Sequence, residues 1–114
     1  MDFRKQRPIY LQIADNLCGR ILNDEWNEEE RMASVRDIAT ELEVNPNTVL
    51  RTFEYLQNNE IIYNRRGVGY FVSAKAKQRI MKMQRNIFLH EEWPAVLQRI
   101  KMLGITLEEL SKDL

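Results

Sequence analysis

Two helix-start signals stand so close together that they dictate a tight helical pair. The first is Ser34-Val35-Arg36-Asp37, a serine with an acidic residue three positions on. This is capping-box spacing, with the shorter aspartate in place of glutamate. The second is Asn45-Pro46-Asn47-Thr48. Asn45 is a good N-cap, and Pro46 suits the first helical position, where its missing N–H has no partner to lose. Val35, Ile38, Ala39 and Leu42 give the first helix an inner face, and Val49, Phe53 and Leu56 do so for a second over about 46–58. Only a tight turn fits between them. The second helix therefore begins with small hydrogen-bonding side chains and free backbone N–H groups. A helix-turn-helix presents such an end to the DNA major groove.

The flanking segments complete a winged helix. Pro8 starts a helix over 8–23, with Ile9, Ile13, Leu17 and Ile21 recurring every four residues. The segment from Asp24 to Ala33 reads as a polar loop pinned by Trp26 and Met32. Ile61-Ile62-Tyr63 and Tyr70-Phe71-Val72 are strand candidates, joined by the turn Arg65-Arg66-Gly67-Val68-Gly69. A helical region begins at Ser73, with Ile80, Met83 and Ile87 on one face to about Leu89. Trp93-Pro94 opens a further helix that turns Val96, Leu97, Ile100 and Leu103 inward and stops at Gly104. Thr106 and Glu109 cap a last short helix. The fold class is mainly α (α+β). Residues 1–72 form a winged helix-turn-helix, and residues 73–114 form a short helical tail.

Composition narrows the function classes. The 114 residues carry 17 lysines and arginines against 17 aspartates and glutamates, so the formal net charge is zero. Any affinity for nucleic acid must then rest on local clusters. Two exist: Arg4, Lys5 and Arg7 near the start, and Arg65 with Arg66 in the turn. Asp24-Glu25 and Glu28-Glu29-Glu30 oppose them unless they point elsewhere. The single cysteine, Cys18, excludes an internal disulfide and fits a cytoplasmic protein. No run approaches the ~18 apolar residues of a membrane span, so no membrane partner is expected. There is no phosphate-binding glycine loop, no nucleophile with a base and no metal-ligand cluster, so neither an enzyme, a metal nor a cofactor is expected. His90 stands alone.

The helix order, opened by Pro8-Ile9-Tyr10-Leu11-Gln12-Ile13-Ala14, resembles the DNA-binding domain of the GntR family of bacterial regulators from about Pro8 to Val72. Val44-Asn45-Pro46-Asn47-Thr48-Val49 and Arg65-Arg66-Gly67-Val68-Gly69-Tyr70-Phe71-Val72 look like its YtrA subfamily, which carries only a short helical tail. The resemblance implies a homodimeric repressor on a palindromic operator of double-stranded DNA. It implies contacts from Arg36, from Asn45, Asn47 and Thr48, and from a wing tip of Arg66, Gly67, Val68 and Gly69. Many family members have glycine where Glu43 stands, glycines and prolines where Asp24, Glu29 and Ala33 stand, and arginine where Leu50 stands.

The candidate DNA-binding set is therefore Arg4, Lys5, Arg7, Ser34, Arg36, Asn45, Pro46, Asn47, Thr48, Arg51, Arg65, Arg66, Gly67 and Gly69. The candidate dimer stripe is Ile80, Met83, Ile87, Val96, Leu97, Ile100 and Leu103, because a helix pair this small cannot bury both of its stripes against itself. One alternative stays open on the residues alone: a winged helix that binds protein instead of DNA, which the zero net charge and the acidic loop favour. No pattern identifies a small-molecule effector.

Overall fold

The computed structural model describes residues 7–114, and the candidates Arg4 and Lys5 lie outside that range. Its elements in chain order are α1 (Ile9–Leu22), α2 (Val35–Leu42), α3 (Pro46–Asn58), β1 (Ile62–Arg65), β2 (Gly69–Val72), α4 (Ala76–Ile87), a π-helical turn (Phe88–Glu92), α5 (Trp93–Met102) and α6 (Leu107–Ser111). The chain forms two compact units that divide within α4, after Lys82. The first unit runs past the expected boundary at Val72 because Ser73, Ala76 and Ile80 are all buried.

In the first unit α3 packs on both α1 and α2. The core holds Leu17, Cys18 and Ile21 of α1, Ile38 of α2, and Val49, Phe53 and Leu56 of α3. These are the apolar positions that recur at helical spacing in the sequence. Burial pushes the Cys18 thiol up to about 12, which makes it a packing residue without thiolate chemistry. Both expected helix starts are present. Ser34 Oγ accepts from the Asp37 N–H at 3.1 Å while the Asp37 carboxylate accepts from the Ser34 N–H. Asn45 Oδ1 accepts from the Asn47 N–H at 2.8 Å.

β1 and β2 pair antiparallel, with Arg65 opposite Gly69. The strands thus reach further towards the tip than the apolar runs alone indicate, and the loop proper is Arg66-Gly67-Val68. The Val68 N–H donates to Arg65 O at 2.8 Å, and Gly67 takes φ 78. Gly67 is thus the third residue of an Arg65–Val68 turn, where a positive φ of this size is what a type II turn requires and glycine supplies.

The segment before Ser34 differs from the expected plain loop. The Met32 N–H donates to Tyr70 O at 2.9 Å, the Val72 N–H donates to Glu30 O at 3.0 Å, and Arg31 bridges Phe71. A third short strand therefore lies on the free edge of β2. The physical reason is the buried backbone of that edge, whose N–H and C=O groups need partners. Met32 is buried as expected, and Trp26 is half-buried under the Arg20 guanidinium.

In the second unit, helical structure continues where a break near Leu89 is expected. Pro94 has no N–H to give the carbonyl four residues back, and the wider π turn accommodates its ring. Gly104 ends α5, and Thr106 and Glu109 form the expected capping box of α6.

Glu43 ends α2 at φ 55 and ψ 47, the left-handed region that costs a side-chain-bearing residue about 1–2 kcal/mol. Asp24 and Glu29 share that region, at φ 63 and 67. Glu43→Gly removes the strain but gives the unfolded chain about 0.4–1 kcal/mol of extra entropy. The variant is expected to be more stable by up to about 1 kcal/mol. A urea midpoint that rises confirms this, and an unchanged or lower midpoint contradicts it.

Candidate nucleic-acid interface

The start of α3 is aimed by its own buried side. Val49, Phe53 and Leu56 are fully buried, each contributing about 1.5–3 kcal/mol. That burial leaves Asn45, Pro46, Asn47, Leu50 and Arg51 facing outward, with Thr48 half-buried at the edge. Thr52 is the polar exception in this core. Its hydroxyl donates to Tyr10 O at 2.6 Å and lies 3.2 Å from Thr48 O. The bond fastens α3 to the first turn of α1. Sequence reasoning missed it, because a threonine at a helix-core spacing carries no mark of a distant carbonyl partner.

The Arg51 guanidinium stacks 3.9 Å above the centre of the Tyr10 ring, a cation–π arrangement that holds the charge in place and leaves it outside. Pro8, Ile9, Tyr10, Asn47, Thr48 and Arg51 line a shallow cleft of about 300 Å³ there. Arg36 projects from the first turn of α2, exposed and without an ion pair among the described residues. Ser34, beside it, spends its hydroxyl on the cap.

Charge is sorted across this unit in a way that the zero total conceals. Four of the five acidic groups of the 24–30 segment are engaged, and Glu28 is exposed without a side-chain partner among the described residues. Glu25 and Glu41 pair with Arg20, Asp24 accepts from Lys77 at 2.5 Å, Glu29 accepts from the Tyr63 hydroxyl at 2.6 Å, and Glu30 caps Asn27. Arg20 is held further into its charged form by Glu41 and Glu25, against the desolvation that opposes it. Arg31, Arg36, Arg51, Arg65 and Arg66 have no such carboxylate partner among the described residues. Arg7 departs from the expectation of a phosphate contact: its guanidinium donates to Asp15 at 2.8 Å and is largely buried, so it serves α1. Leu50 is 39% exposed on the outer face of α3.

On the wing, Arg66, Gly67 and Val68 form the exposed tip, with Arg65 and Gly69 paired just behind it. The Arg65 guanidinium lies 4.9 Å over the Phe71 ring. Arg31 was not a sequence candidate, because the strand that carries it reads as loop.

Only part of the stripe expected to meet a second copy lies on the surface. Ile80 is fully buried in the first unit and has no surface to offer, and Met83 is 8% exposed. Ile87, Val96, Leu97 and Ile100 are half-buried. The surplus apolar surface of the second unit lies instead on Leu103, which was expected, and on Phe88, Leu89, Trp93, Met102, Leu107 and Leu110, which were not. Assigning 93–103 a single inward stripe hid them, since α5 and its flanks are apolar on more than one side.

Thr52→Val removes the hydroxyl bond to Tyr10 at nearly constant volume. It is expected to destabilise the protein by about 1 kcal/mol, read as a lower urea midpoint. A midpoint equal to the parent's contradicts a role for the bond.

Comparison with known proteins places this geometry in company. The family model "Bacterial regulatory proteins, gntR family" matches residues 9–72. The HTH-type transcriptional regulator YhcF of Bacillus subtilis is 35% identical over 108 residues, which is 95% of this chain and 88% of that protein. The HTH-type transcriptional repressor YtrA of Bacillus subtilis is 29% identical over 96% of this chain and 84% of its own length. Among solved structures, a transcriptional regulator of the GntR family from Bacteroides thetaiotaomicron shares 45% identity, with a TM-score of 0.80 over 92% of this chain and 91% of that one.

Proposed function

This chain belongs to the GntR family of bacterial regulatory proteins, and we propose that within it the protein acts as a homodimeric repressor on a roughly palindromic DNA operator. Membership makes it a DNA-binding helix-turn-helix transcriptional regulator with a winged-helix fold, and not an enzyme. No described helix is long and apolar enough to cross a membrane.

The reading rests most on one observation. The second unit, Met83–Leu114, buries no large side chain except Met83, while Phe88, Leu89, Trp93, Met102, Leu103, Leu107 and Leu110 are exposed. Apolar surface on this scale in a small helical unit calls for a partner. A second copy across a two-fold axis supplies the same surface, and the self-complementary contact sets two reading helices a fixed distance apart. Two such helices enter successive major grooves about one helical turn apart. The name of YtrA, a transcriptional repressor, supports blocking of transcription as the outcome of that occupancy.

Within each half-site, Asn45, Asn47, Thr48 and Arg51 meet the major groove. Leu50 adds an apolar contact of the kind a thymine methyl accepts, in place of arginine's preference for guanine. Arg36 reaches the duplex beside them, and Arg66 with Gly67 and Gly69 enters the adjacent minor groove.

A duplex selected by the full chain from a random-sequence pool tests this reading. The selected site is expected to be palindromic and to bind two chains, with the free protein sedimenting as a dimer at micromolar concentration. Arg36→Ala is expected to weaken binding to it by about 1–3 kcal/mol with the thermal midpoint unchanged. A monomer that binds one asymmetric site with full affinity overturns the dimer, and undiminished binding by the variant removes Arg36 from the interface.

A further inference from the structure

We propose that Arg31 is a DNA-backbone contact of the wing, gripping one phosphate together with Arg65 across Gly69. This inference rests on the DNA-binding reading above.

The register of the three-stranded wing carries the argument. Residues directly opposite each other in an antiparallel pair point to the same face, as do alternate residues along a strand. Arg31 is opposite Phe71, Phe71 is opposite Tyr63, and Gly69 is opposite Arg65. Arg31, Phe71, Gly69, Tyr63 and Arg65 therefore share one face of the sheet. Tyr63 and Phe71 stack on it with ring centres 5.7 Å apart, and the Arg65 guanidinium covers the Phe71 ring.

Gly69 is the gap in this row. A methyl group placed on it would come 2.8 Å from Arg31 Nε and 3.3 Å from Arg31 Nη2. The Arg31 guanidinium thus lies directly above the glycine, in space that no other residue type leaves open. Its backbone, at φ 147, is also one that glycine adopts readily. Arg31 comes from one outer strand, and Arg65, opposite Gly69, comes from the other. Glu29, in the turn that precedes Arg31, accepts from the Tyr63 hydroxyl and pairs with neither arginine. Neither arginine has an ion-pair partner among the described residues.

The Arg31 guanidinium over Gly69 and the Arg65 guanidinium over Phe71 put two like charges on one face, where an anion can join them. A planar guanidinium is well suited to phosphate, and this face lies immediately behind the wing tip. The geometry is that of a backbone clamp, which positions the wing without reading sequence.

The experiment measures binding against salt on two duplexes, the one selected by the full chain and a scrambled duplex of equal length. Arg31→Ala is expected to lower the slope of log K against log salt, and Arg31→Ala combined with Arg65→Ala to lower it by about 0.9, the value of the one phosphate they share. Arg31→Ala should weaken both duplexes by the same factor. Arg31→Lys keeps the charge and is expected to restore the slope. Gly69→Ala displaces the guanidinium and is expected to reproduce the slope loss of Arg31→Ala, with no further slope loss when the two are combined. If Gly69→Ala does not fold, the Arg31→Ala and Arg31→Lys pair decides alone. An unchanged slope in Arg31→Ala, or a loss confined to the selected duplex, overturns the clamp while leaving the DNA-binding reading intact. A parent chain that binds neither duplex overturns that reading and the clamp with it.

Discussion

The packing of α3 on α1 is the constraint that the rest of the first unit answers to. Three apolar side chains of α3, Val49, Phe53 and Leu56, are fully buried, as is Thr52, and Leu17, Cys18 and Ile21 of α1 are buried with them. Each apolar burial of this kind contributes about 1.5–3 kcal/mol, whereas an exposed ion pair contributes about 0–1 kcal/mol. The orientation of the reading helix is therefore fixed from inside, and the surface charges do not set it. The Thr52–Tyr10 hydrogen bond adds direction to what burial leaves non-directional. With the inner face committed, Asn45, Asn47 and Arg51 have nowhere to point but outward.

The same logic separates the two roles of charge. Total charge is zero, yet Glu25, Asp24, Glu29 and Glu30 of the 24–30 segment are engaged by Arg20, Lys77, Tyr63 and Asn27, with Glu28 alone there left without a side-chain partner among the described residues. Arginines of α2, α3 and the wing are left without carboxylate partners among the described residues. Phosphate attraction depends on the local balance, so pairing inside the chain achieves what an excess of lysine achieves in more basic DNA-binding proteins. Cation–π stacking at Tyr10 and Phe71 then holds two of these guanidinium groups in defined places without neutralising them.

Much of this was legible in the residues because local rules and tertiary packing agree. The capping signals at Ser34 and Asn45 place the starts of α2 and α3, and the four-residue apolar spacing places their inner faces. The left-handed turn at Glu43 is what the resemblance implies, a backbone conformation that glycine takes freely. What stayed hidden depends on partners far along the chain. The third wing strand exists only because β2 has an edge to complete, and Glu30-Arg31-Met32 is too short to announce it. Thr52 bonds a carbonyl 42 residues away. Ile80 looked like surplus because helical spacing does not distinguish a residue spent on its own core from one kept for a partner. Pro94 signalled a helix start, and the π turn that absorbs it has no composition signature of its own.

In the proposed reading one face, built from the starts of α2 and α3 and from the wing, meets DNA, while the second unit meets its own copy. Backbone amide chemical shifts of the full chain, recorded as a selected duplex is added, test this most directly. The account predicts that the largest shifts fall at 34–36, 45–51 and 65–69 and at Arg31, with 83–114 little changed. Shifts concentrated in 83–114, with the start of α3 unmoved, would contradict it.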